Sequence, residues 1–347
     1  MSFGLCQVEF FQVSRATRGS PAGAILSAMT VLVTGGAGYI GSHVVRTLLL
    51  RGTRVVVADD LSAGIPARIR GLDIAHIDLA AEGSSEVIRT VIQKHGVTAV
   101  IHLAARKQVG ESVEKPEWYY QQNVGGLANL LTAMREEKVT RLVFSSSAAT
   151  YGMPDVESVT EDYPGRPINP YGETKLVGEW MVADAAKAWG LRASCLRYFN
   201  VAGAGFSELA DTALANLIPI VFAAIKAGKS PKVFGTDYPT ADGSCVRDYV
   251  HVQDLAEAHL AALDYLDNEV REHSVFNVGT GRGYSVLEVL AEIKRVTAID
   301  FEVELAERRA GDPPFLCADV SRIRSTLGWQ AKRGLAEIVE SAWSALA

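Results

Sequence analysis

The chain opens its ordered pattern with Val31-Leu32-Val33, an apolar run of the kind that fills a strand buried on both faces, and Tyr39 to Leu50 then carries the apolar spacing of a helix. Arg54 to Ala58 repeats the buried-strand pattern, followed by a strand over Asp73 to Ile77, a helix over Ser84 to His95 and a strand over Thr98 to His102. The alternation continues through a long helical stretch, Trp118 to Glu136, and a fifth strand, Leu142-Val143-Phe144, that ends in Ser145-Ser146-Ser147. Asn169-Pro170 introduces a helix from Tyr171 to about Trp189, Pro being favoured in a first turn, and Arg192 to Arg197 is a sixth strand. This rhythm predicts an α/β fold, a doubly wound parallel sheet of the Rossmann type. Beyond Asn200 the pattern changes to mixed loops and shorter helices punctuated by Pro219, Pro231, Pro239, Pro313 and Pro314, so a first domain is expected over 29–200 and a smaller C-terminal α/β domain over 201–347.

Residues 1–28 precede the first strand. Arg15, Arg18 and Pro21 interrupt the apolar runs a leader segment would need, so this stretch is expected to be a poorly ordered tail, with Met29 an alternative start. No later stretch approaches the ~18 apolar residues of a membrane span.

Between the first strand and helix lie Gly35, Gly36, Gly38 and Gly41. A dinucleotide pyrophosphate needs backbone N–H groups at a helix N-terminus and close approach without a Cβ, which Gly36-x-Gly38-x-x-Gly41 supplies, although glycine-rich turns also serve as plain loops. The context favours the ligand. Asp59 closes the second strand at roughly the ~20-residue distance of a carboxylate that grips adenosine ribose hydroxyls. Asp60 stands beside it, and two carboxylates there repel a 2′-phosphate, which indicates NAD rather than NADP. Asp78 ends the third strand, where it could meet an adenine amino group or cap a turn, and Leu103-Ala104-Ala105 gives the small side chains a backbone needs to lie against a cofactor, with Lys107 just beyond.

Hydrophobic residues make up 48% of the 347 residues, enough for a sizeable core and a folded, soluble protein. The net charge of −6 and the absence of a long basic run argue against nucleic acid or an anionic membrane as main partner. Cys6, Cys195, Cys245 and Cys317 form no C-x-x-C pair and no cluster with His, which suggests neither a metal site nor a disulfide framework and fits a reducing cytoplasm.

Tyr171 and Lys175 are four residues apart on the expected helix, about 6 Å along its axis and on nearly the same face. A phenol is a weak base near neutrality because its pKa is about 10, but a neighbouring ammonium and a cationic nicotinamide both favour the phenolate. Ser147, at the end of the preceding strand, could hydrogen-bond the same substrate oxygen. This trio is the minimum for removing a hydroxyl proton while a hydride leaves its carbon. Taken singly, Tyr-x-x-x-Lys is also a common packing pair; with the glycine turn, Asp59 and a strand-end serine in order, the catalytic reading is favoured.

These residues resemble the extended branch of the short-chain dehydrogenase/reductase superfamily and, within it, the UDP-glucose 4-epimerases. The likeness runs from Thr30 almost to the C-terminus through Val33 to His43, Val109 to Val113, Phe144 to Gly152, Pro170 to Lys175, Leu196 to Asn200 and, most specifically, Gly235 to Val252. It implies an isomerase that interconverts UDP-glucose and UDP-galactose by oxidation at C4 with NAD, rotation of the 4-keto sugar and re-reduction. Tyr171 is then the base for the 4-hydroxyl proton, Ser147 its hydrogen-bonding partner, and Lys175 the residue that holds the nicotinamide ribose and lowers the tyrosine pKa. The resemblance further implies a cofactor site of Gly35, Gly38, Tyr39, Ile40, Gly41, Asp59, Asp60, Asp78, Leu79, Leu103, Ala104, Ala105, Lys107, Asn123, Ser145, Tyr171, Lys175 and Tyr198. The UDP-sugar would lie on Lys107, Ser147, Tyr171, Asn200, Asn216, Leu217, Val233, Phe234, Arg247, Val286, Arg309, Asp312 and Leu316, with the arginines meeting diphosphate charge. No metal is implied. On this basis 29–200 is the NAD-binding domain and 201–347 mainly the UDP-sugar-binding domain, and a homodimer is expected to pair the helices Trp118 to Glu136 and Tyr171 to Trp189 across a two-fold axis.

The pattern departs from the family at Gly125-Gly126-Leu127, across Gly203 to Ala215 and at Leu316, which leaves open whether N-acetylated or pentose UDP-sugars are also taken. The rival 4,6-dehydratases carry Asp-Glu where this chain has Ala148 and Ala149, so loss of water would lack its acid. A non-catalytic NAD-sensing protein would not need Ser147, Tyr171 and Lys175 together.

Overall fold

Five consecutive buried residues form the first strand, β1 (Thr30–Thr34), and a helix, α1 (Tyr39–Leu50), follows the glycine turn. The structure, a computed structural model, describes residues 29–268, 273–309 and 311–346; the tail expected over 1–28 lies outside the described residues. Next come β2 (Arg54–Asp59), β3 (Ile74–His76), α2 (Ser84–His95) and β4 (Ala99–His102). Short α3 (Val109–Glu114) and α4 (Pro116–Tyr119) lead into a π-helical turn, Tyr120–Gly125, that continues without a break as α5 (Gly126–Glu136). The single helix expected from Trp118 therefore carries a wide turn in its middle, a feature to which apolar spacing is blind. β5 (Arg141–Ser147), β6 (Ser158–Val159), α6 (Pro170–Trp189), β7 (Arg192–Tyr198) and β8 (Asn200–Ala202) complete this half.

The chain then runs through α7 (Leu217–Lys226), β9 (Lys232–Phe234), β10 (Val246–His251), α8 (Val252–Asn268) and β11 (His273–Val278). It ends with β12 (Gly283–Ser285), α9 (Val286–Thr297), β13 (Glu304–Ala306), β14 (Phe315–Ala318), α10 (Ser321–Leu327) and α11 (Leu335–Ser344).

The main sheet has the order β11-β7-β5-β4-β1-β2-β3, and every pairing in it is parallel. Strand residues alternate between two cores. Val31, Val33, Val57 and Ile101 face Val44 and Leu48 of α1 and Leu255 and Leu263 of α8. Leu32, Val56, Val100 and Leu142 face Ile88 of α2, Leu130 and Met134 of α5 and Val182 of α6. Both faces are covered, which is why the strands read as unbroken apolar runs. Strand order reverses between β1 and β4, and ligands of such sheets bind outside the carboxyl ends of the strands there.

β11 was not apparent in the hydrophobic pattern and comes from beyond residue 200, so the chain returns to the first sheet across the 29–200/201–347 division. Its sequence, His273-Ser274-Val275-Phe276-Asn277-Val278, hides the strand because Asn277 is fully buried and spends its side chain on the Tyr151 hydroxyl and the Val159 carbonyl. A second sheet, β12-β10-β14-β6 with β8 also on β10, and the pair β9–β13 build the smaller unit. Its core gathers Ile218, Val221 and Phe222 of α7, Val289 and Ile293 of α9, and Ile338 and Val339 of α11.

Candidate active site

The glycine turn is shaped by contacts a side chain would destroy. Gly35 sits at φ +71°, and a Cβ on it would lie 2.7 Å from the Ala104 nitrogen, so β1 and the loop after β4 touch there. A Cβ on Gly41 would come within 2.1 Å of the Gly35 carbonyl. Gly36, which heads the glycine spacing in the sequence, packs instead on Val57, where a Cβ would meet Cγ1 at 2.8 Å. Gly38 is the N-cap of α1 and offers no side-chain cap, leaving the first N–H groups of the helix, at Tyr39 and Ile40, directed at the turn. The Tyr39 side chain turns the other way and donates its hydroxyl to the Gly203 carbonyl at 2.6 Å, while Ile40 packs on the core.

Asp59 is buried at the end of β2. Its Oδ2 accepts the Ala37 N–H at 2.9 Å and its Oδ1 the Leu61 N–H at 2.9 Å, so the carboxylate ties the glycine turn to the next strand. Burial raises its pKa against the pull of these hydrogen bonds. Asp60 does not add a free second charge: it pairs with Arg106 at 2.6 Å and accepts from the Ser62 N–H and hydroxyl. Burial opposes its ionisation, but Ser62 and Arg106 bring its pKa below the ordinary value. The argument for NAD from two bare carboxylates thus rests on Asp59. Asp78 is exposed and accepts the Ala80 N–H at 2.9 Å, the turn-capping alternative, and Leu79 lies in the core.

Leu103, Ala104 and Ala105 follow β4 half-buried, and exposed Lys107 comes after them. This loop is held by Asn123 on the π turn: Oδ1 accepts the Arg106 N–H at 2.8 Å, and Nδ2 donates to the Arg106 carbonyl and to the Thr174 hydroxyl, each at 3.0 Å. Arg106, absent from the residues expected in the site, spans Asp60 and Gln122 and lies 5.0 Å over the Trp118 ring. Nothing in its local sequence signals that bridge.

Ser147 is the last residue of β5, and α6 begins beside it, capped by the Asn169 side chain, which accepts the Gly172 N–H at 2.9 Å. Lys175 is buried, donates to the Ser145 carbonyl at 2.9 Å and stands 5.9 Å from the centre of the Tyr171 ring. Burial pushes the Lys175 pKa down to about 8. Burial raises the Tyr171 pKa while a hydrogen bond from Ser147 lowers it. Desolvation is the larger of the two effects, so the Tyr171 pKa lies above its ordinary value. Tyr198 is buried behind the strand ends with its hydroxyl against His259 Nε2.

On the other side of the cleft Leu316 packs in one cluster with Ala148, Tyr151 and Phe199, which brings β14 against the end of β5, and Leu316 is in register with Arg247 of β10. Arg247 is buried and bonds the Val246 and Pro313 carbonyls at 2.8 Å and Asp312 at 3.1 Å. The Arg309 guanidinium lies 3.9 Å over the Phe234 ring. Asn200 is exposed on β8, beside β10, and Asn216 precedes α7 with its amide on Asp211 at 2.9 Å. Leu217 and Val286 open α7 and α9 at the rim of the small core. Val233 is 1% exposed and belongs to that core, so its side chain is packing, not a surface for a ligand. Asp248, next to Arg247, accepts from the Thr280 N–H and hydroxyl and the Gly281 N–H, at 2.7–2.9 Å, and fastens the loop after β11 to β10. Among the described residues no His, Cys, Asp and Glu group could hold a metal, and no helix is long and apolar enough to cross a membrane.

The model of the NAD dependent epimerase/dehydratase family matches residues 31–279. A UDP-glucose 4-epimerase of Corynebacterium glutamicum is 44% identical over 327 residues, 91% of this chain and 95% of the relative. The crystal structure of UDP-glucose 4-epimerase from Brucella ovis in complex with NAD superposes with a TM-score of 0.86 at 42% identity, over 91% of this chain and 97% of that one. A UDP-glucose-4-epimerase from Stenotrophomonas maltophila, with bound NAD and formylated UDP-arabinopyranose, gives a TM-score of 0.86 at 38% identity over the same shares, 91% and 97%.

Proposed function

The chain belongs to the NAD dependent epimerase/dehydratase family, and on that premise we propose that it is an isomerase interconverting UDP-glucose and UDP-galactose by inverting C4 of the sugar. The observation that carries the reading is that Lys175 reaches the Ser145 carbonyl near the end of β5, two residues before Ser147, and stands 5.9 Å from the Tyr171 ring. The turn fits a dinucleotide: Gly35 and Gly41 let its backbone close on itself and on the loop after β4 with no Cβ between, and the uncapped N-terminus of α1 opens onto it. The turn and the N–H groups of Tyr39 and Ile40 would hold the pyrophosphate of NAD, Asp59 the adenosine ribose and Lys175 the nicotinamide ribose. NAD, when bound there, would supply the hydride-transfer chemistry at C4 of the sugar.

The chain's own groups manage the proton and the grip on substrate. Tyr171 Oη takes the 4-hydroxyl proton and gives it back, and Ser147 Oγ hydrogen-bonds the same oxygen through both half-reactions. Arg247, fixed by two carbonyls and Asp312, and Arg309 meet the diphosphate, so the sugar can turn while its nucleotide stays bound. Ala148 and Ala149 bring no acid to the site, which leaves dehydration without a proton donor.

The proposal extends to assembly and compartment. Trp180 and Tyr120, on the helices expected to pair, are 58% and 37% exposed, and a second copy related by a two-fold axis would cover these side chains. Light scattering at micromolar concentration reads this directly, and a monomer would count against it. Cys195, Cys245 and Cys317 are free thiols, in keeping with a reducing cytoplasm, where the enzyme would serve galactose metabolism.

The test of the central reading is incubation of purified protein with UDP-galactose and no added NAD. UDP-glucose should form with no accumulation of reduced cofactor. Stoichiometric NADH release, or no UDP-glucose from protein that holds NAD, would overturn it.

A further inference from the structure

Tyr171, Lys175 and Glu179 succeed one another at intervals of four on α6 and so lie along one face of two helical turns. Two of them bond to β5, Lys175 at the Ser145 carbonyl and Glu179 at the Ser146 hydroxyl, which donates to Oε1, and Tyr171 lies one turn before Lys175, toward the Ser147 end of the strand. Glu179 is 4% exposed and also takes a two-pronged contact from Arg197 of β7, Nε to Oε1 at 2.8 Å and Nη2 to Oε2 at 2.6 Å. Arg197 is in register with Ser146 on one side and Asn277 of β11 on the other. Its guanidinium lies 4.7 Å over the Tyr151 ring and donates to the Glu161 carbonyl at 3.2 Å.

α6 does not need this pair for burial, since Val182, Ala185 and Ala186 already pack it on the apolar core. A buried ion pair is a poor device for stability, because desolvation offsets its attraction; its best-attested use is to fix register. The fork geometry of guanidinium on carboxylate restricts direction as well as distance. The seat is also tight. A Cβ on Gly178 would lie 2.5 Å from Phe144 Cζ, and one on Gly172 would lie 2.6 Å from the Ala149 carbonyl, so the helix rests directly on β5 at one end of the catalytic segment and on the turn that follows β5 at the other.

We propose that Glu179 and Arg197 are positioning residues: their buried pair, tied to Ser146, sets the register of α6 on β5 and so holds Tyr171 to Ser147 and Lys175 to Ser145. The catalytic part of this inference rests on the function proposed above. A helix that slides by a fraction of its rise leaves the glycine turn, Asp59 and Arg247 in place and still misplaces the phenol, and displacements of about 1 Å remote from the chemistry cost about 10²-fold.

The decisive variant is the double substitution Glu179→Met with Arg197→Met, which removes both charges and leaves neither partner stranded. With UDP-galactose, kcat should fall about 10- to 10²-fold, while KM and bound NAD stay within about threefold of wild type. The kcat–pH profile should move upward, because the Ser147 hydrogen bond that lowers the Tyr171 pKa is loosened. Arg197→Lys, which keeps the charge and loses the fork, should shift both in the same direction. Wild-type kcat and pH profile in the double variant would overturn the proposal, as would a kcat loss matched by equal losses of thermal midpoint and bound NAD. Should the double variant be insoluble, Ser146→Ala decides: it deletes one hydrogen bond and should lower kcat several-fold at an unchanged KM, and an unchanged kcat would defeat the idea. An inactive wild type would defeat the functional reading alone. The helix register is then read from amide exchange over residues 170–177, which rises in the variant if the pair sets it and stays level if it does not.

Discussion

Replacing Asp59 by Ala removes a carboxylate that is 6% exposed and accepts two backbone N–H groups, Ala37 and Leu61, each at 2.9 Å. Hydrogen bonds to a charged group contribute about 1.5–3 kcal/mol each, so two give about 3–6 kcal/mol before correction. Burial works against the ionised form and raises its pKa, which places the expected cost at the low end, about 3 kcal/mol. Against a typical total of about 5–15 kcal/mol that is a large loss from one side chain. Asp59→Asn keeps one acceptor oxygen and should fall between Ala and wild type. Urea unfolding of cofactor-stripped protein, followed by circular dichroism, measures the structural part; titration with NAD measures what is lost at the ribose. An Ala variant within about 1 kcal/mol of wild type would show that the carboxylate does not hold the glycine turn. Unchanged NAD affinity would remove it from the ribose.

His43, His102, His251 and His259 are buried, and burial pushes their pKa values down to about 4, 3, 3 and 4. The folded values lie below the unfolded value of about 6.5, so the unfolded chain binds more protons as the pH falls below that point, and stability is lost from about pH 6.5 down to about 3. At pH 5.5 each contributes about 1.4 kcal/mol of loss, roughly 5 kcal/mol together, and equal urea midpoints at pH 7.5 and 5.5 would refute this. Tyr171→Phe keeps the ring and deletes the proton acceptor, so kcat should drop about 10²- to 10⁴-fold with UDP-sugar and NAD still bound. Activity within a few-fold of wild type would assign the proton to another group.

What the sequence makes legible is what repeats in period or is forced by backbone. β1, α1, β2 and α2 follow their apolar spacing closely, and the glycine turn is readable because only glycine tolerates the approach to Ala104 and Gly35. The trio Ser147, Tyr171 and Lys175 is readable because an interval of four and a strand end fix its geometry. Side-chain partners chosen across long separations leave no such trace. Arg106 reaches Asp60 and Arg197 reaches Glu179 only once the sheet is formed, and either arginine reads as an ordinary charge in its own stretch. Val233 misleads for the opposite reason: its neighbour Phe234 meets Arg309, but strand alternation turns the valine into the core. The π turn moves Asn123 onto the loop after β4 without altering the apolar count of the helix around it.

The return of the chain to place β11 beside β7 governs how the molecule comes to be made. β7 ends at Tyr198 and its neighbour in the sheet runs from His273 to Val278, so on a growing polypeptide the first sheet cannot be finished until the chain has emerged through Val278. Until then β7 is an open edge, with Cys195 and Leu196 awaiting cover, which is the form of strand most apt to recruit a stranger. A fragment stopped at residue 200 would keep that edge for good and should aggregate rather than persist as a free-standing cofactor module. Closing the sheet therefore also commits the substrate-side segment to its place, and the two halves of the site mature in one step.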